Sequence, residues 1–215
     1  MRRGLFIVIE GVDGAGTTTQ VAQLGAALKG RVAVRETREP TAGPVGGLLR
    51  LALTGRLVTA GPFGARPPGW KTLALMFAAD RLDHIEAEIA PLLDEGVCVV
   101  SDRYYHSSVA YQSRSAGADP NAIAWIRSIN SHARRPDLTI VLDVSAQVAA
   151  QRRRQRGNVE LFDDDTFQAN LVDFYARLER HFPDERIVHV DGEAAVERVA
   201  AAVLAQVEPQ LVERG

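Results

Sequence analysis

Lysine is almost missing from this 215-residue chain. Only Lys29 and Lys71 are present, and every other basic side chain is arginine. Cysteine is scarcer still: Cys98 stands alone inside an apolar run, so a disulfide framework is excluded. No apolar stretch approaches the about 18 residues of a membrane span. The five histidines are scattered and share no metal-ligand spacing. A net charge of −2 gives no electrostatic case for binding a nucleic-acid polymer. Met1-Arg-Arg-Gly4 runs straight into the first apolar segment, with no room for a signal peptide, so a cytoplasmic enzyme is the expectation.

What is present is enough for a sizeable core. Apolar residues make up 46% of the chain, and the length suits one domain, 1–215, with a small lid. Short, nearly continuous apolar runs at 5–10, 32–37, 97–101, 138–143 and 187–190 read as strands buried on both faces. Helical patterns fall between them at 18–28, 45–53, 72–94, 120–131, 146–156, 165–182 and 194–207. This alternation predicts an α/β fold with a parallel five-stranded sheet between two helical layers. Ligands then sit beyond the C-terminal ends of the strands. The Gly/Pro-rich stretch 60–69 reads as a surface loop. Residues 152–165 carry dense arginine and then dense acid, and are the candidate lid.

The most informative segment is Gly11-Val-Asp-Gly-Ala-Gly-Thr-Thr-Thr19, between the run 5–9 and a helical pattern. Strand, glycine-rich turn and helix are the setting of a phosphate-binding loop. Glycines allow the tight turn, backbone amides face the phosphates, and the helix adds its positive N-terminus. Gly11, Val12, Asp13, Gly14, Ala15, Gly16, Thr17, Thr18 and Thr19 are therefore the predicted nucleotide-binding residues. The pattern has one fault: Thr17 stands where the loop lysine belongs. Thr18 keeps the hydroxyl that normally meets magnesium.

Asp102-Arg-Tyr104 closes the third strand. There Asp102 could hold magnesium and Arg103 could clamp a phosphate, although a surface ion pair would read the same way. Phe77 and Arg81 share a helical face, suited to a base and its phosphate; in isolation they read more readily as a core ring and a solvated cation. Ser108, Tyr111 and Gln112 adjoin one face of another helix, where an amide could both donate to and accept from a base edge. Arg152-Arg-Arg-Gln-Arg156 is either a solvated face or a segment that closes over phosphates.

In their order these motifs resemble the thymidylate kinase family over nearly the whole chain. The resemblance rests on Glu10-Gly-Val-Asp-Gly-Ala-Gly16, Arg38-Glu-Pro40, Leu75-Met-Phe-Ala-Ala-Asp-Arg81, Asp102-Arg-Tyr104, Ser108-Val-Ala-Tyr-Gln112 and Arg135-Pro-Asp-Leu-Thr-Ile-Val-Leu-Asp143. It implies a P-loop kinase fold and the Mg2+-dependent phosphorylation of thymidine monophosphate by ATP. By the same resemblance Phe77 stacks on thymine, while Arg81 and Gln112, assisted by Ser108, recognise the base. Arg103 holds the acceptor phosphate, and Tyr111 packs below the deoxyribose. Asp13 lies near the sugar and acceptor phosphate, and Arg38, Glu39 and Pro40 line the acceptor site. Arg152, Arg154 and Arg156 are lid arginines, with Asp13, Asp102 and Arg103 completing the catalytic set. Thr18 and Asp102 serve the metal. A homodimer formed through helices is also implied.

Two cations of the resembled pattern are missing. Thr17 replaces the loop lysine, and Leu161 stands in Glu160-Leu-Phe-Asp163 where an arginine often occurs. Phosphoryl transfer depends on positioning and on neutralised charge. The reading therefore has two alternatives: a kinase for another pyrimidine or modified deoxynucleoside monophosphate, or a nucleotide-binding protein that has lost catalysis.

Overall fold

A computed structural model describes residues 3–117, 119–156, 161–162 and 164–213, without the side chains of Arg156 and Glu213. In chain order the elements are β1 (Phe6–Glu10), α1 (Thr17–Leu28), β2 (Val34–Arg38), α2 (Pro44–Leu53), β3 (Thr59–Gly61), β4 (Gly64–Arg66) and α3 (Trp70–His84). A five-residue π-turn, Ile85–Ile89, joins α3 to α4 (Ala90–Asp94). Then come β5 (Cys98–Asp102), α5 (Tyr105–Ser115), α6 (Ala122–Ile129), β6 (Leu138–Asp143), α7 (Ala146–Arg156), α8 (Asp165–Tyr175), α9 (Leu178–His181), β7 (Ile187–Asp191) and α10 (Val196–Glu213).

The main sheet has five strands in the order β2-β5-β1-β6-β7, all parallel. The predicted α/β sheet is therefore present. Strand β1 is central, and Phe6 to Ile9 are fully buried. Its register pairs Ile9 with Asp102 and Glu10 with Val141. The C-terminal ends of β1 and β5 thus lie side by side, which brings the glycine-rich loop against Asp102-Arg103.

Four local expectations are corrected. The edge strand β2 is not buried on both faces, because an edge has one open flank: Arg35, Glu36 and Arg38 are exposed. The stretch 60–69 is not structureless, since β3 and β4 pair there as an antiparallel hairpin with Gly61 opposite Gly64. Turn residues mark a reversal, and a hairpin satisfies the backbone on either side of it. The expected helix at 72–94 carries the π-turn, and that at 165–182 breaks after Tyr175.

Candidate active site

The loop after β1 turns on a hydrogen bond from the Ala15 amide to the Val12 carbonyl at 3.0 Å. Gly16 caps α1 in the left-handed region with φ of 100°, and no side chain caps the helix. The first-turn amides are therefore available to an anion. Gly14 has a φ of 95°, and a Cβ there would sit 2.5 Å from the Ala149 carbonyl of α7. Glycine is thus needed twice over: for backbone conformation and for the close approach of α7. Thr17 is buried as the first residue of α1. The Thr18 hydroxyl donates to Asp102 Oδ2 at 2.5 Å, while Asp102 Oδ1 is buried without a partner.

Arg103 adopts a φ of 70°, the one non-glycine residue with positive φ among the described residues. Its guanidinium donates to Asp13 Oδ1 at 2.6 Å, the Gly11 carbonyl at 2.8 Å and Ser107 Oγ at 3.1 Å. It also lies 5.4 Å from the centre of the Tyr111 ring. Burial disfavours the charged guanidinium, but Tyr111, Asp13, Tyr175 and Glu10 together hold it ionised well above its ordinary range. Burial pushes the Tyr111 phenol up, with Arg103 opposing, so it is neutral near pH 7.

Beneath this pair lies a fully buried carboxylate that the sequence reading did not single out. Glu10 accepts from the Tyr104 amide at 2.8 Å, the Ser107 amide at 3.2 Å, Ser107 Oγ at 2.7 Å and Tyr175 Oη at 3.0 Å. Those bonds fix the turn that carries Arg103. Gln168 was missed as well. Its amide donates to Asp13 Oδ2 at 2.9 Å and to the Phe162 carbonyl at 2.8 Å, tying α8 to the phosphate loop. Gln168 lies three residues after the Asp164–Asp165 helix start, and nothing in its spacing marks it.

A cleft of about 120 Å³ opens beside Asp13 and Arg103. Glu39, Pro40, Phe77, Arg81, Ser108, Tyr111 and Gln112 line it, together with Leu53 and Phe162. Arg38 does not; it is exposed at the end of β2, opposite Asp102. Within the cleft wall Arg81 is only 1% exposed and already engaged: Glu39 at 2.6 Å, Asn130 at 2.5 Å and Ser108 at 3.1 Å. Its aromatic neighbour is Tyr104, at 5.2 Å, rather than Phe77. Gln112 lines the cleft, and its Oε1 is buried with no hydrogen-bond partner among the described residues.

The described lid residues reach the loop from the other side. Arg152 donates to the carbonyls of Gly192 at 2.9 Å, Ala15 at 3.3 Å and Gly14 at 3.5 Å. Arg153, inside the predicted basic run but not among its named lid arginines, donates to the Asp13 carbonyl at 3.2 Å and pairs with Asp165 at 2.7 Å. Arg154 pairs with the same Asp165 at 3.1 Å and is mostly exposed. The Arg156 side chain, Gly157, Asn158, Glu160 and Asp163 lie outside the described residues. Leu161 is described: its amide donates to the Leu53 carbonyl at 2.9 Å, and its side chain is exposed.

The family profile described as thymidylate kinase matches residues 9–203. The chain belongs to the thymidylate kinase family. Membership makes it a nucleoside monophosphate kinase, a phosphotransferase. It is 36% identical over 212 residues to a probable thymidylate kinase of Pyrococcus horikoshii, covering 98% of each chain. To the probable thymidylate kinase of Pyrobaculum calidifontis it is 44% identical, over 80% of each. A thymidylate kinase of Rhodopseudomonas palustris is 34% identical, over 98% of this chain and 91% of that protein. The family match spans β1 to α10, so the phosphate loop, the cleft and the lid arginines all fall inside it.

Proposed function

We propose that this chain transfers the γ-phosphoryl group of ATP to thymidine monophosphate, giving ADP and thymidine diphosphate. The observation that carries the reading is one juxtaposition. The cleft lined by Phe77, Gln112 and Tyr111 opens onto Arg103, which is paired with Asp13 of the glycine-rich loop. A base in the cleft would thereby set its own phosphate beside the donor's.

In this assignment Phe77 stacks on the base, and Gln112 reads its edge through its side-chain amide, whose Oε1 has no partner among the described residues. Arg81, clamped by Glu39 and Asn130, presents a rigid donor wall with Ser108. Glu39 and Pro40 close the wall from β2, and Arg38 beside them meets the acceptor phosphate from solvent. Arg103 grips the acceptor phosphate and Asp13 the sugar side, while Tyr111 fills the space a ribose 2′-hydroxyl would need. The first-turn amides of α1 and the loop 11–19 cradle the donor phosphates.

Magnesium fits the same site. Asp102 keeps one buried oxygen open beside the Thr18 hydroxyl, which suits a cation that takes most of its ligands from phosphates and water. When bound, it neutralises charge on the transferring group. Residues 152–165 act as the lid, and Arg152, Arg154 and Arg156 supply the charge that Thr17 cannot. Exposed Leu48 and Leu51 on α2 and Leu75 on α3 support a homodimer through these helices. No helix among the described residues is long and apolar enough to cross a membrane, consistent with the cytoplasmic setting we assign.

A coupled ADP-release assay across nucleoside monophosphates tests the reading. Thymidine monophosphate is expected to give the highest kcat/KM, above the purine, cytidine and ribose acceptors. A clear preference for a purine, or no turnover of any acceptor, would overturn it.

A further inference from the structure

A second cavity, of about 380 Å³, opens between the end of α5 and the C-terminal half of α8, and shares no lining residue with the acceptor cleft. Arg114, Arg177, Arg180 and His181 face it, and Asp173 is the one acid in its described wall. None of the three arginines makes an ion pair among the described residues. In a chain whose net charge is −2, three guanidiniums facing one carboxylate around one hollow run against the average.

The floor is ordered. Phe174 is 3% exposed, and the His181 ring lies flat against it at 4.4 Å and 8°. The Arg114 guanidinium stands 5.9 Å from the same ring. Burial, then Arg114 and Arg127, hold the His181 imidazole below its ordinary value, with Glu179 opposing. Arg114, Arg177 and Arg180 face the same hollow with Asp173 as the one acid in its described wall, so an anion bound there would offset their like charge. Arginine forks match phosphate oxygens two at a time, and a hollow this size admits a chain of phosphates.

We propose that this cavity binds a di- or triphosphate group, with Arg114, Arg177 and Arg180 as its donors and the Phe174–His181 stack as its floor. The ligand chemistry is the linked phosphate chain, whether free or carried on a nucleoside. The proposal is independent of the acceptor assigned to the kinase site.

The test is a proton NMR titration of the His181 ring in the intact protein, its resonances identified by their loss in His181→Ala. Inorganic triphosphate and a nucleoside triphosphate are the two probes. Each is expected to raise the His181 midpoint by about one pH unit, because a nearby anion stabilises the imidazolium. The rise is expected to vanish in Arg177→Ala/Arg180→Ala, two exposed positions whose truncation leaves the core intact. If the nucleotide acts at lower concentration than inorganic triphosphate, the site takes nucleotides; equal potency assigns it to the phosphate chain alone. A His181 midpoint unmoved by saturating concentrations of both probes, or a rise that persists in the double variant, overturns the proposal.

Discussion

Arg103 donates to the Asp13 carboxylate at 2.6 Å across the junction of β5 and the phosphate loop. It does so from a left-handed backbone position, φ 70°, held by Glu10 from beneath and by the Ser101 hydroxyl on its own carbonyl. A guanidinium tied to Gly11, Ser107 and Asp13 is held in place at the cleft lining. Rigid, preplaced donors cost no reorganisation when charge develops.

Arg103→Ala should therefore remove about 2–4 kcal/mol of transition-state stabilisation, read from kcat/KM for thymidine monophosphate. Arg103→Lys should already be damaging, because lysine cannot bond Asp13, Gly11 and Ser107 at once with a planar fork. Near wild-type kinetics in a folded Arg103→Ala protein would refute its role.

Phe77 is a half-buried aromatic of the cleft lining. Phe77→Ala should raise KM for the acceptor by an amount worth about 1–3 kcal/mol, the scale of base–aromatic stacking. ADP affinity, measured by calorimetry, should stay unchanged. A parallel loss of ADP affinity would mean that the ring supports the fold and not the base.

The missing loop lysine makes the lid arginines the next variable. Arg152 spans the carbonyls of Gly14, Ala15 and Gly192, and Arg153 that of Asp13. Alanine at the acting arginine should lower kcat by about 10²–10⁴ with little change in ADP affinity. Thr17→Lys should leave ATP affinity equal or better and partly restore the lid variant. A double-mutant cycle on kcat is the measurement, and strictly additive effects would show that the two positions share no role.

Glu185, which is not in the cleft lining, provides a stability test. Burial pushes its carboxyl up, but hydrogen bonds from His106 and Tyr105, and the charges of His106 and Arg135, bring it below the ordinary value of 4.5. A depressed carboxylate stabilises the fold above its unfolded pKa, and that contribution is lost as pH falls through the folded one. The Tm of Glu185→Gln should thus lie below wild type at pH 7. The gap should narrow as pH drops below about 4.5. A gap independent of pH would mean that only packing was lost.

Local pattern was enough for much of the fold. The order of strands and helices, the glycine-rich turn and the Asp102-Arg103 corner are each written in a few adjacent residues, because backbone conformation and period depend on near neighbours. Thr17 in the lysine slot was equally plain, since a motif position needs no third dimension.

Partners drawn from distant segments were not legible. Glu10 reads as the polar end of a strand, and only the parallel register of β1 with β5 puts it under Tyr104 and Ser107. Arg81 could have been a solvated cation; burial beside Glu39 and Asn130 made it part of a wall. Gln168 meets Asp13 across 155 residues of sequence. Edge exposure of β2, too, follows from strand order, which no local run encodes. The sequence by itself marked candidate groups such as Asp13, Phe77, Arg103 and Gln112, but not Glu10, Arg153 or Gln168. Tertiary structure decided which of them are free to meet a ligand, because a hydrogen bond is spent on whichever partner the fold brings within reach.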